Sequence, residues 1–172
     1  MAISLYDVSV TSYLQTLEAV AAFLDKGLTH LKSSGKDPDQ FVETRLYPDM
    51  LDFRFQIASV TQHSLGAIEA AKAGVFSPPK PKGENYAGLQ QRVADAIAGL
   101  KALTREEVEA LEGKDMAFVM GEMRIPFTVE NFIMSFSLPN FHFHATTAYD
   151  ILRMNGVPLG KRDYMGRMRV KS

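Results

Sequence analysis

The chain contains no cysteine. This absence excludes disulfide bonds, thiolate nucleophiles, iron–sulfur clusters and zinc sites with cysteine ligands. It also weakly favours a reducing compartment. The first fifteen residues lack a basic segment followed by an apolar core, so we do not expect a secretory signal there. These two observations together predict a cytoplasmic protein.

An excess of one charge is also missing. Lys and Arg total 19 and Asp and Glu total 20, which gives a formal net charge of −1 at pH 7. A balanced chain offers no electrostatic case for binding nucleic acid. The single basic run, at residues 161–172, is interpreted as a tail that is solvated or packed on a neighbour. No apolar run approaches the roughly 18 residues needed to span a bilayer, so we predict neither a nucleic-acid nor a membrane partner.

The size of the chain favours one folded unit. Its 172 residues are 46% hydrophobic and 23% charged, values typical of a globular protein. A chain of this length buries about two thirds of the surface that it exposes when unfolded. We therefore predict a single domain over residues 1–172.

Four stretches carry apolar residues at steps of three and four, which is the period of an amphipathic helix. Two local signals support these boundaries. Gly74 is expected to end a helix, and Thr104-x-x-Glu107 is a capping box that starts one short extra helix. Asp49 is the residue that we expect to cap the second stretch. The four stretches run from Leu5 to about Ser33, from Met50 to Ala73, from about Ala87 to Leu103, and from Thr128 to about Gly156.

Between residues 114 and 128 the hydrophobic period changes from 3.6 to 2. Apolar residues alternate on both sides of Gly121, namely Met116, Phe118 and Met120 before it and Met123, Ile125 and Phe127 after it. This pattern predicts a β-hairpin that turns near Gly121. The fold predicted from the whole chain is therefore an all-α four-helix bundle with a small β-hairpin inserted before the last helix.

The last predicted helix carries two histidines and an interior proline. Residues two apart on a helix point about 200° away from each other, so His142 and His144 cannot both face the interior. Asn140 and His144, at i and i+4, share a face. Pro139 removes one backbone hydrogen bond and leaves the Ser135 carbonyl without its helical partner. Kinks of this kind occur at ligand sites and also in ordinary cores.

His63, from the second helix, completes a cluster of two imidazoles and one amide. One interpretation is structural: Asn140 and His144 bond each other or the kinked backbone, and His63 is a packing residue. The other is a metal site, although an amide oxygen is a weak ligand for transition metals. The sequence has no Glu-x-x-His, HExxH, Walker A or G-x-S-x-G motif that would favour a known catalytic arrangement. His30, near the end of the first helix, is interpreted as a surface residue.

Several segments carry a resemblance to the DinB/YfiT-like superfamily, whose members are regarded as metalloenzymes, and within it to an uncharacterised bacterial family defined as a domain of unknown function. The resemblance covers essentially the whole chain. The matching segments are Pro48-Asp49-Met50, Gln56-Ile57-Ala58 leading to His63, Leu138-Pro139-Asn140-Phe141-x-Phe143-His144, Thr146-Thr147-Ala148-Tyr149-x-Ile151-Leu152-Arg153, Asn155-Gly156-Val157-Pro158 and Gly160-Lys161-Arg162-Asp163.

The resemblance implies a four-helix bundle that is often dimeric and a divalent metal, zinc or nickel. The superfamily holds the metal with one histidine on the second helix and a His-x-x-x-His pair on the last. His144 corresponds to the second member of that pair, Asn140 stands at the first, and His63 is the histidine available on the second helix. The three-histidine site is thereby reduced to two histidines and an amide.

Two functions follow from this pattern. The first is a homodimeric small-ligand-binding protein with a degenerate metal site, its dimer face being either the hairpin at 115–127 or the outer stripe of the first helix. The second is a divalent-metal-dependent transferase or hydrolase that uses His63 and His144 with support from Asn140. The sequence does not select a substrate for either. The predicted pocket consists of His63, Asn140, His144, Gln56 and Tyr149.

Overall fold

The computed structural model describes residues 3–80 and 83–171, and most of them are helical. The α-helices of this part of the chain are α1 (Ser12–Ser33), α2 (Pro38–Phe41), α3 (Phe53–Gln62), α4 (Leu65–Ala73), α5 (Tyr86–Ala102), α6 (Arg105–Glu109), α7 (Val129–Phe132), α8 (Leu138–Met154) and α9 (Lys161–Met165). The strands are β1 (Val75–Phe76), β2 (Asp115–Met120) and β3 (Met123–Thr128). Two π-helical segments, Asp7–Thr11 and Ile133–Ser137, directly precede α1 and α8.

The first long helix follows its sequence pattern closely. Leu17, Val20, Leu24 and Leu31 of α1 are at 0% exposure, while Leu14, Ala21 and Leu28 are partly buried against the same core. The helix packs against α5, α8 and α9. Steps of three and four therefore identified a real core-facing surface.

The second predicted helix begins later than expected. Asp52, rather than Asp49, is the N-cap of α3, because its carboxylate accepts a hydrogen bond from the Phe55 backbone N–H at 2.9 Å. An aspartate that bonds the N–H of the third helical residue is the usual way to satisfy the free end of a helix. The predicted N-cap at Asp49 is therefore wrong, and the helix begins three residues later than predicted.

The same predicted helix is also interrupted at its middle. His63 is the C-cap of α3, and α4 begins two residues later at Leu65. The Ser64 hydroxyl donates to the Val60 carbonyl at 2.8 Å, and a side chain that bonds the preceding turn competes with the helical backbone. The predicted stop is confirmed, since Gly74 ends α4 with a φ of 76°. The break places His63 at a helix end.

The predicted hairpin is confirmed, and one strand was missed. β2 and β3 pair antiparallel with Met120 opposite Met123, and Gly121 in the turn has a φ of 60°. β1 pairs with β2 in parallel, which makes a three-stranded sheet in the order β1-β2-β3. The fold class is therefore mainly helical with a small sheet rather than all-α. Two residues, Val75 and Phe76, are too few to produce a recognisable alternation.

The last helical segment runs from α7 through the π-helical turn into α8. Pro139 is the second residue of α8, immediately after that turn. Proline supplies no backbone N–H, and a π-helical turn is one of the ways in which a helix accommodates such a gap. The segment packs on α3 and α1, so one face of α8 is turned towards the core. No helix of residues 3–80 and 83–171 combines the length and apolar character needed to cross a membrane.

Candidate functional site

His63 occupies a buried position where α3 ends. Its side chain is 5% exposed, and its ring lies 4.9 Å from the Phe76 ring and 5.6 Å from the Phe136 ring, measured between centroids. The Nδ1 atom is buried and has no hydrogen-bond partner in the described part of the chain. Buried polar atoms without partners are rare, so this nitrogen needs an explanation.

His144 lies on the face of α8 that is turned towards α3. Its Nδ1 is 2.7 Å from Oε1 of Gln56, whose Nε2 donates to the Leu51 carbonyl at 2.8 Å. Because the amide nitrogen is committed to a carbonyl, the amide oxygen accepts, and Nδ1 of His144 carries the hydrogen. The lone pair of the neutral ring is then on Nε2.

The two imidazoles stack on each other. The ring centroids of His63 and His144 are 5.9 Å apart and the ring planes differ by 18°. We call these two residues the histidine pair. Gln56 belongs with them, since it contacts His144 directly, and these three members of the predicted pocket are brought together by the fold.

Both histidines of the pair are neutral at pH 7. Burial lowers the pKa of His63 from its ordinary 6.5 to about 3, with a smaller contribution from the nearby His144. Burial likewise lowers the pKa of His144 to about 4. The pair therefore presents hydrogen-bonding imidazoles and no positive charge.

Phenylalanine rings surround the pair. Phe55 and Phe143 meet the His144 ring edge-on, with centroids 5.8 and 5.3 Å away, while Phe76 and Phe136 contact His63. The side chain of Phe143 is 56% exposed. The surroundings favour uncharged, flat groups over ions.

A chain of two hydroxyls holds the backbone of His63. Tyr13 of α1 donates to Ser137 at 3.1 Å, and Ser137 donates to the His63 carbonyl at 2.8 Å. Both side chains are fully buried, and burial raises the pKa of Tyr13. We call Tyr13 and Ser137 the hydroxyl chain. Sequence reasoning missed it, because its members lie 124 positions apart and neither has a recognisable motif.

Two residues of the predicted pocket lie outside the cluster. The Asn140 side chain donates to the Phe136 carbonyl at 2.7 Å, one turn back on its own helix. Tyr149 contacts Phe23 and Tyr164, with centroids 6.3 and 6.1 Å away. In the described residues neither side chain has a hydrogen bond or ring contact with the histidine pair.

His142 points away from the pair, as the helical period predicts. It is exposed, and its Nδ1 lies 3.2 Å from the hydroxyl of Tyr164 on α9. The string His142-x-His144 is therefore not a chelating motif.

The donors do not fit a three-ligand metal site. No group of three or more His, Cys, Asp or Glu among the described residues is placed to hold a metal ion. Zinc sites use at least three protein ligands, and the pair supplies two imidazoles. The remaining candidate, the amide of Asn140, is a weak ligand and already bonds the backbone.

A cleft of about 610 Å³ opens on the other face of α8. Phe143 contributes to the cleft and also contacts His144, so the cleft adjoins the histidine pair without including it. We call it the outer cleft. Its lining consists of Leu46, Met50, Pro139, His142, Phe143, Thr146, Thr147 and Asp150.

Comparisons with protein families and with solved structures identify proteins that this chain resembles. The family model described as "Domain of unknown function (DUF1993)" matches residues 5–165. The chain is also similar to a DinB family member protein from Shewanella denitrificans, known from a crystal structure. The two are 25% identical, the match covers 98% of this chain and 95% of the other, and the TM-score is 0.80. No curated protein matches significantly.

Proposed function

The chain belongs to the DUF1993 family and has a DinB-like fold, and from this premise we propose that it binds a small ligand at the histidine pair. The observation that carries the proposal is the buried Nδ1 of His63, which has no hydrogen-bond partner in the described chain. An unsatisfied buried polar group costs about 1–3 kcal/mol. A bound molecule that hydrogen-bonds the pair would offset this cost.

The chemistry of the pair defines the class of ligand. Two neutral imidazoles attract neither a carboxylate nor a phosphate by charge. Nε2 of His144 is left as a hydrogen-bond acceptor, because Nδ1 is committed to Gln56. The phenylalanine rings around it favour a flat apolar body. The proposed ligand is therefore an uncharged aromatic molecule with a hydroxyl or N–H donor.

A titration with phenol tests this proposal. In protein labelled with ¹⁵N-histidine, phenol should shift the ring signals of His63 and His144 saturably, and anisole, which lacks the donor, should bind at least about tenfold more weakly. His144→Ala should abolish the phenol effect. His142→Ala is the matched control, since this histidine lies two residues away on the opposite face. Equal binding of anisole, or equal loss in the control, would contradict the proposal.

The alternative is a divalent-metal-dependent transferase or hydrolase that uses His63 and His144. One observation favours it, the hydrogen bond from His144 to Gln56, because metal-binding histidines usually donate their second N–H to an oxygen. The ligand set weighs against it. Elemental analysis of untagged protein purified without chelator decides: substoichiometric metal is expected, whereas equimolar zinc or nickel that disappears in His144→Ala would replace the first proposal.

We also propose a four-helix bundle that assembles as a homodimer. α1, α3 with α4, α5, and α7 with α8 would be the bundle helices, as the DinB-like neighbour supports. The dimer face would be the hairpin, where Met120, Met123 and Ile125 are 52%, 50% and 40% exposed. Exposed apolar side chains in a group are typical of interaction sites. Ile125→Asp should then dissociate the dimer in analytical ultracentrifugation, and a wild-type monomer at micromolar concentration would refute this assembly.

A further inference from the structure

The outer cleft has the dimensions and apolar surface of a small-molecule site. Leu46, Met50, Pro139 and Phe143 form its apolar part. Its volume of about 610 Å³ lies within the about 300–1,000 Å³ that is usual for ligand pockets. Phe143 is 56% exposed, so an aromatic face is available to a molecule in the cleft.

One formal charge lies in this cleft. Asp150 is half-buried and forms no ion pair with any residue in the described ranges. The other titratable residue of the lining, His142, is exposed, and its Nδ1 lies 3.2 Å from the hydroxyl of Tyr164. The cleft therefore carries a net negative charge next to apolar surface.

Along α8, the apolar lining residues Pro139 and Phe143 precede Asp150. Phe143 and Asp150 are seven residues apart on α8, which is two turns on the same face and about 10 Å along the helix axis. Thr146 and Thr147 lie between them and line the cleft. A molecule that contacts both Phe143 and Asp150 must be elongated.

We propose that the outer cleft binds an elongated small amine. Its protonated nitrogen pairs with the Asp150 carboxylate, and its apolar or aromatic body lies against Phe143 and Met50. A half-buried carboxylate without an internal partner gains most from a ligand that brings a positive charge. Phe143 also contacts His144, but the charge contact at Asp150 does not involve the histidine pair, so this proposal can fail or hold independently of the function proposed above.

Three probes of equal length test the proposal by isothermal titration calorimetry. The titrations use the His144→Ala variant, so that binding of an aromatic alcohol at the histidine pair does not contribute. In this variant 4-phenylbutylamine should bind, 4-phenylbutanol should bind about tenfold more weakly, and 4-phenylbutanoate should not bind measurably. The affinity for the amine should fall as salt is raised, because its charge pair is partly exposed. Equal affinities for amine and alcohol would overturn the assignment, and so would an amine that does not bind at millimolar concentration.

Variants then locate the site. Asp150→Asn should weaken the amine about tenfold and leave the alcohol unchanged, whereas Phe143→Ala should weaken both. Glu112→Gln removes an exposed carboxylate that does not line the cleft and should change neither. Circular dichroism melting verifies that each variant is folded. Amine affinity that survives Asp150→Asn, or that falls equally in the Glu112→Gln control, would overturn the proposal.

Discussion

The two faces of α8 place the same residue type in opposite environments. His144 faces α3, stacks on His63 and bonds Gln56, in an enclosure of phenylalanine rings without formal charge. His142, two residues earlier, is exposed and shares the outer cleft with Asp150. The helical period alone produces this division.

We expect the two faces of α8 to bind ligands through different interactions. On the inner face, burial removes the histidine charges, so binding there depends on hydrogen bonds and packing. On the outer face, solvent reaches the side chains, and a single carboxylate provides selectivity by charge. We therefore expect inner changes to alter stability and pH dependence, and outer changes to alter ligand affinity and its salt dependence while folding stays nearly unaffected.

The largest expected difference in stability comes from removing the ring of Phe76, on β1 against the histidine pair, and the ring of Phe143, in the outer cleft. Phe76 is 1% exposed and contacts His63, so Phe76→Ala should lower the free energy of unfolding by about 3–5 kcal/mol. Phe143 is 56% exposed, and Phe143→Ala should lower it by less than about 1 kcal/mol. Urea denaturation measures both. Comparable losses in the two variants would contradict the comparison.

Acid should destabilise the protein through the inner face. The pKa values of His63 and His144 are lowered to about 3 and about 4 in the folded state, so the unfolded chain takes up protons first as the pH falls below 6.5. The stability contributed by the two neutral histidines is present above their unfolded pKa of 6.5 and is lost as the pH falls through the folded values of about 4 and about 3. Between pH 6.5 and 4.5 each histidine should cost roughly 2 kcal/mol.

Denaturation curves at several pH values measure this loss, and variants assign it. His63→Leu should remove about half of the dependence between pH 6.5 and 4.5. His142→Asn should reduce it less, because that ring is exposed to solvent. If His142→Asn removed as much of the dependence as His63→Leu, the assignment to the inner face would be wrong.

Much of the fold could be predicted because its signals are local. Helical stripes, the capping box at Thr104, the stop at Gly74 and the alternation around Gly121 each depend on neighbouring residues, and all four are present in the structure. The break after His63 could not be predicted in this way. The break involves a hydrogen bond from the Ser64 hydroxyl to the preceding turn. Serines form this bond in some helices and not in others, so the sequence does not reveal it.

Part of the geometry of the candidate site was also predictable. Spacing predicted that His142 and His144 face different ways, and in the structure Gln56 and His63 contact His144, while their role as a pocket stays a prediction. Spacing could not reveal that Asn140 satisfies its own helix instead of the cluster. The hydroxyl chain was also beyond reach, since contacts between distant segments depend on the packed structure.

The smallest expected changes in the free energy of unfolding come from variants of the hydroxyl chain. They also test the difference between the inner and the outer face of α8. Ser137→Ala leaves both the buried His63 carbonyl and the Tyr13 hydroxyl without this partner, so it should cost about 1–3 kcal/mol. Tyr13→Phe removes a donor while Ser137 keeps its acceptor, and should cost about 0.5–1.5 kcal/mol. Ser135→Ala is the matched control, because Ser135 is exposed and donates to the Asn131 carbonyl one turn back.

The double variant tests whether the two hydroxyls act as one connected chain or form two independent hydrogen bonds. Once Ser137 is alanine, the Tyr13 hydroxyl has lost its acceptor, so Tyr13→Phe should become neutral or stabilising in that background. The two changes should therefore show a coupling free energy of about 1 kcal/mol in urea denaturation. Strict additivity would mean that the hydroxyls act separately. Ser137 bonds the backbone where α3 ends. If the two changes couple, the variants should also shift the ¹⁵N NMR signals of the His63 ring. The signals of His142, on the outer face, should not move.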